Sequence, residues 1–118
     1  MQFDVDINSK FADLFLKVRE TLLSFEEIRE LKNAKQTSYY DEYSSICFMR
    51  TRPKGLTIAF GNGAKLNELF PILEGSQKIV RHLYVASIDE FDEGLMRRLI
   101  EESLILNIEK DAIKAMLK

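Results

Sequence analysis

"SSICFMRTRPKGLTIAFG", residues 44–61, is the stretch on which the reading of the fold turns. Two runs rich in apolar, aromatic and β-branched residues, a composition that favours strands, are separated by Arg-Pro-Lys-Gly. Proline holds φ at the value needed in the second position of a tight turn, and glycine suits the last position. Ser45–Thr51 and Leu56–Gly61 are therefore expected to pair as an antiparallel hairpin, with Pro53 and Gly55 in its turn. Alternation along the strands assigns Ile46, Phe48, Leu56, Ile58 and Phe60 to an apolar face, and Cys47, Met49, Thr57 and Ala59 to the other. A one-sided sheet follows.

Working outward, "TSYYDEYS" at residues 37–44 continues the strand-like composition upstream. At the N-terminus Phe3, Val5 and Ile7 alternate with Asp4 and Asp6, which predicts a short strand. From Ser9 the period changes: Phe11, Leu14, Phe15, Val18 and Leu22 lie on one helical face, with Asn8 or Ser9 as its cap. Ser24 followed by Glu27 has the form of a capping box and predicts a second helix ending near Asn33, with Phe25, Ile28 and Leu31 inward. Downstream, residues 64–74 predict a short helix broken at Pro71, and "KIVRHLYVAS" a further strand with Leu83 and Val85 facing the core. Ser87 and Glu90 repeat the capping pattern before a helix carrying Phe91, Leu95, Leu99 and Leu106 to about Asn107. A last helical segment, apolar at Ile108, Ala112, Ile113 and Met116, follows it.

At 118 residues, 46% apolar and 31% charged, the chain has the size and composition of one globular domain, 1–118. Seventeen basic against nineteen acidic residues leave a net charge of −2, so no global field draws it to nucleic acid or anionic lipid. Cys47 is the only cysteine, which fits a reducing compartment, and the cytoplasm is the expected location. "MQFDVDINSK" has neither the basic flank nor the apolar length of a signal peptide or membrane span.

The glycines of "AFGNGAKLNEL", residues 59–69, invite comparison with phosphate loops. A Walker loop needs four residues between its glycines and a Gly-Lys-Ser/Thr ending, whereas here one residue separates Gly61 from Gly63 and Ala64 precedes Lys65. The dinucleotide fingerprint needs a third glycine where Leu66 stands. The stretch reads instead as a turn in which Asn62 and Gly63 take positive φ. His82 is the one histidine, so no zinc cluster of thiolates and imidazoles can form, and no base is placed to activate Cys47. Glu26, Glu27 and Glu30, at helical spacing, are the candidate metal ligands. Lys78, Arg81, His82 and Tyr84 are the candidate ligand-binding residues. Arg81 shares a face with Leu83 and Val85, so its charge needs a partner: Glu74, Glu101, Glu102 or the carbonyls of a helix end. Arg50, Arg52 and Lys54 at the hairpin tip, beside Tyr39, Tyr40 and Tyr43, are a mix that stacks and binds single strands, but the acid-rich segments on either side argue against nucleic acid.

The order Ile58–Phe60, Gly63, Leu66, Leu73–Gly75, Lys78, Val80–Arg81, Leu83–Val85, Ile88–Asp92 and Leu106–Asn107 resembles the YdhG-like family of small bacterial domains of unknown function. The resemblance spans most of the chain. It implies an α+β two-layer sandwich, an antiparallel sheet with N- and C-terminal helices packed on one face, in agreement with the pattern. Some relatives are described as frataxin-like iron chaperones, so iron is the metal the resemblance implies. The chain carries "LKNAKQTSYY" where the family has a Gly-x-Pro-aromatic segment. Gly63, Gly75 and Arg81 are expected to be structural. With no nucleophile pair, metal-ligand cluster or phosphate loop in the sequence, a non-enzymatic binding or interaction domain is the leading expectation, and an iron or divalent-cation chaperone using exposed carboxylates the alternative. A protein, a small molecule or a second copy of the chain are the partner classes left open, and no membrane is expected.

Overall fold

A computed structural model describes residues 1–117. In chain order the elements are α1 (Gln2–Asp6), α2 (Ala12–Leu23), β1 (Arg29–Lys32), β2 (Thr37–Tyr40), β3 (Ser45–Arg52), β4 (Gly55–Phe60), α3 (Gly63–Leu69), β5 (Arg81–Val85), a 3₁₀ turn (Ile88–Glu90) and α4 (Glu93–Met116). The strands form one antiparallel sheet in the order β1-β2-β3-β4-β5. The helices pack on one face of it, giving the α+β sandwich expected. Leu14, Phe15, Val18 and Leu22 of α2 and Met96, Leu99 and Ile100 of α4 meet Leu56, Ile58 and Phe60 of β4 in the core. Each such side chain, taken fully from water, contributes about 1.5–3 kcal/mol. None of the described helices is long and apolar enough to cross a membrane.

The hairpin of β3 and β4 forms where the sequence places it, with Arg52 opposite Gly55 across Pro53 and Lys54. Its faces differ from expectation. That turn sets Met49 against Ile58 and Cys47 against Phe60, so Cys47 and Met49 enter the core, while Phe48 sits opposite Ala59 on the other side. Ile46 is nonetheless buried because the register shifts by one residue: Tyr39 pairs with Cys47 but Tyr40 with Ser45, leaving Ile46 as the extra residue of a bulge.

Four further expectations are corrected. The N-terminal segment is a helix, because Phe3 and Ile7 satisfy a helical i, i+4 face as well as an alternating one. The buried Asp6 distinguishes the two: its carboxylate accepts from the Thr51 amide at 3.0 Å and hydroxyl at 2.7 Å, tying α1 to β3. Ser24 does not open a helix; its hydroxyl donates to the Thr21 carbonyl and closes α2, and the chain enters edge strand β1, leaving Leu31 exposed. Neither Asn62 nor Gly63 has positive φ; Asn62 precedes α3 and Gly63 is its first residue. The two C-terminal segments are one helix, α4, capped by the Asp92 carboxylate, which accepts from the Leu95 amide.

Candidate functional site

The sheet face turned away from the helices is built from alternate residues of β2–β5. One row across it reads Ser38, Phe48, Ala59, His82, and the next reads Arg50, Thr57, Tyr84. Thr57 and Ala59 on β4, between β3 and β5, are small, which lets Phe48 and Arg50 from one side and His82 from the other lean over β4. Both are buried although no helix covers them. The His82 and Tyr84 rings stack with centroids 5.8 Å apart and planes 15° from parallel, and Tyr84 remains 55% exposed. His82 Nδ1 is buried without a hydrogen-bond partner, close against Gly75. A depression of about 210 Å³ lies between Phe48, Thr57 and His82, with Lys35, Arg50 and Arg52 at its rim.

The charges of that rim have no ion-pair partner among the described residues. Among the described residues Lys17, Arg19 and Arg97 form ion pairs with side-chain carboxylates, all involving residues of the helical side or the core face of β1. Lys35, Arg50 and Arg52 form none. Glu74, whose backbone bridges to His82 at the β5 edge, brings a carboxylate to the far end of the row. Guanidinium groups left in this state bind anions bidentately at little cost in rearrangement.

Of the residues singled out from sequence, His82 and Tyr84 belong to this face, whereas Arg81 does not join them. Arg81 pairs with Phe60 and sits on the helical side of β5. Its guanidinium donates to the carbonyls of Gln77 and Val80, not to Glu74, Glu101, Glu102 or a helix end, so it braces the loop that carries the exposed Lys78. Gly63 and Gly75 are structural for different reasons. A Cβ on Gly63 would lie 2.1 Å from the Arg81 amide nitrogen, and Gly75 holds a φ of +131° that side chains resist.

Glu26, Glu27 and Glu30 do not converge, and among the described residues no group of three or more acids, histidines or cysteines is placed to hold a metal ion. Their helical spacing is lost because residues 29–32 are a strand. Glu30 turns to the core face, where its carboxylate accepts from Arg19 at 2.7 and 3.0 Å and from the Tyr39 hydroxyl at 2.8 Å. Burial opposes its charge, but these hydrogen bonds outweigh burial and hold its pKa below the usual carboxylate value. Glu26 and Glu27 are exposed and border a depression of about 290 Å³ between the β1 end, the 41–43 turn and α4. The buried acid there, Asp41, is already engaged: it accepts from the Tyr43 and Ser44 amides and from Asn107.

Strand alternation alone assigns Phe48 to the core face, and no local pattern singles out Lys35. The turn count could have found Phe48, since with Arg52 opposite Gly55 the even-numbered residues of β3 share a face with the odd-numbered residues of β4. Lys35 reaches the face only through the turn between β1 and β2, and with a helix expected up to about Asn33 the sequence offers no edge strand to place it there. No protein-family model matches the chain, and no curated protein or solved structure matches it.

Proposed function

We propose that the chain is a non-catalytic binding domain whose working surface is the open face of the sheet, and that the partner it takes is anionic. The observation that carries this reading is the rim of Lys35, Arg50 and Arg52, unpaired among the described residues, around a depression floored by Thr57 and flanked by Phe48 and His82. The groups most able to do covalent chemistry are kept apart. Cys47 is wholly buried on the core face, where burial pushes its thiol pKa up, and His82 lies on the opposite face stacked on Tyr84. The lone buried thiol supports a cytoplasmic location. We retain the YdhG-like resemblance as part of the proposal. Residues that carry it, Gly63, Gly75, Arg81 and Asn107, act here at the junctions of α3, β5 and α4, as a shared scaffold requires.

A titration of ¹⁵N-labelled protein with pyrophosphate tests the surface. Amide shifts are expected to concentrate at Lys35, Phe48, Arg50, Arg52 and His82 and to vanish in the Arg50→Gln/Arg52→Gln double variant. Shifts confined to other surfaces, or unchanged in that variant, overturn the reading.

A further inference from the structure

We infer that the partner of the open face is single-stranded nucleic acid, an inference that rests on that face being the binding surface. The face combines two kinds of group. Its cations account for any anion, including an acidic peptide or free phosphate, but its rings need a partner with flat apolar faces. Tyr84 is exposed on top of His82, and Phe48 and Tyr40 are half-buried on the same side. Phe48 and His82 lie two strands apart with Ala59 between them. At about 4.8 Å per strand their backbones are about 10 Å apart, and the depression between them is bordered by both side chains. Open antiparallel sheets bearing aromatic side chains stack two or three unpaired bases in this manner. Lys35, Arg50 and Arg52 then stand beside the rings, where the connecting phosphates run. A duplex hides its base faces, so the surface discriminates against it. Of the acids that argue against nucleic acid when the sequence is read linearly, Glu30 turns to the core face and Glu26, Glu27 and Glu42 to the depression beside α4, while Glu74 stands at the β5 end of the row, away from Lys35, Arg50 and Arg52.

Fluorescence anisotropy with short labelled oligothymidine and oligouridine provides the test. Saturable binding is expected, weakening roughly 7- to 20-fold between about 50 and 200 mM salt if two or three phosphates are neutralised on a single strand. Tyr84→Ala should weaken it roughly 5- to 150-fold, the effect of losing one stacked base, while Tyr84→Phe should retain it. Because Tyr84 is exposed, the melting temperature reports whether the alanine variant is folded. Arg50→Gln/Arg52→Gln should reduce the salt dependence. Equal competition by a polyglutamate peptide or by duplex, or indifference to Tyr84→Ala in the folded variant, overturns the inference. Pyrophosphate shifts at the face without oligonucleotide binding overturn the nucleic acid alone; absence of both overturns the binding face with it.

Discussion

Replacing Gly63 with alanine separates two reasons for a glycine at that position. Were its φ positive, alanine would be strained and asparagine better tolerated, since asparagine visits that region more readily. The structure gives another reason. Gly63 has ordinary helical geometry at the start of α3, and a Cβ there would lie 2.1, 2.7 and 2.8 Å from the Arg81 amide nitrogen, Cβ and Cα. Ordinary contact begins near 3.4 Å, and two of the obstructing atoms are backbone, so no rotamer relieves the overlap. The chain must open between α3 and β5, stretching the 2.7 Å hydrogen bond from the Ala64 amide to the Ile79 carbonyl. Overpacking of this kind costs about 1–3 kcal/mol, and alanine recovers about 0.5–1 kcal/mol of helix propensity. A net loss of about 1.3 kcal/mol, set against an unfolding entropy of about 0.25 kcal/mol/K for a chain of this size, lowers Tm by about 5 °C. Circular-dichroism melts of wild type, Gly63→Ala and Gly63→Asn provide the measurement, and asparagine should be the worse of the two. A Tm within about 2 °C of wild type for alanine, or an asparagine variant more stable than the alanine variant, refutes the close approach.

Three other outcomes follow from buried groups. Asn107 on α4 accepts from Asn62 and donates to Asp41, so Asn107→Leu strands two buried polar groups and should cost at least about 2 kcal/mol in urea denaturation despite its added apolar surface. Because the folded-state pKa of Glu30 is lowered, its contribution to stability is full above the unfolded carboxylate value and is lost as pH falls through the folded one; Glu30→Gln should therefore flatten the acid limb of a Tm-against-pH curve below the ordinary value of 4.5, and an unchanged limb refutes the assignment. Cys47, buried with its thiol pKa raised, should react with a thiol reagent more than roughly a hundredfold slower in the native protein than in guanidinium, and rapid native labelling would place it on the open face.

What was legible in the sequence was whatever depends on local chemistry. The turn at Pro53–Gly55, the apolar stripe of α2, the end of α3 before Pro71 and the facing of Leu83 and Val85 all follow from proline, glycine and period, and all hold. The losses share one cause. Phe3 and Ile7 are four residues apart, a spacing that suits a helix as well as a strand, and only the distant Thr51, which Asp6 accepts from, distinguishes them. Ser24 and Glu27 match a capping box, yet Glu30 gains more from Arg19 and Tyr39 as part of a strand than a short exposed helix would offer. The candidate site depended on register, and an error of one residue on β3 moved Phe48 to the wrong side of the sheet.

Net charge hid the character of the open face for a similar reason: a sum over the chain discards which groups face one another. Many of the acids have assignments on the helical side. Glu30 and Glu93 are held in ion pairs, Asp6 and Asp41 accept from backbone amides of β3 and the 41–44 turn, and Asp92 caps α4. Glu30 and Glu93 project little field through the sheet, because a cation meets each at hydrogen-bond distance, whereas Asp6, Asp41 and Asp92 keep their charge but are engaged away from the open face. Lys35, Arg50 and Arg52 have no such counterpart among the described residues, so their field extends outward for about a Debye length, roughly 8–10 Å at ordinary ionic strength. An approaching partner therefore meets a positive surface on a chain whose net charge is −2. Any association through this face must weaken with added salt, even though the molecule as a whole would migrate as a mild anion.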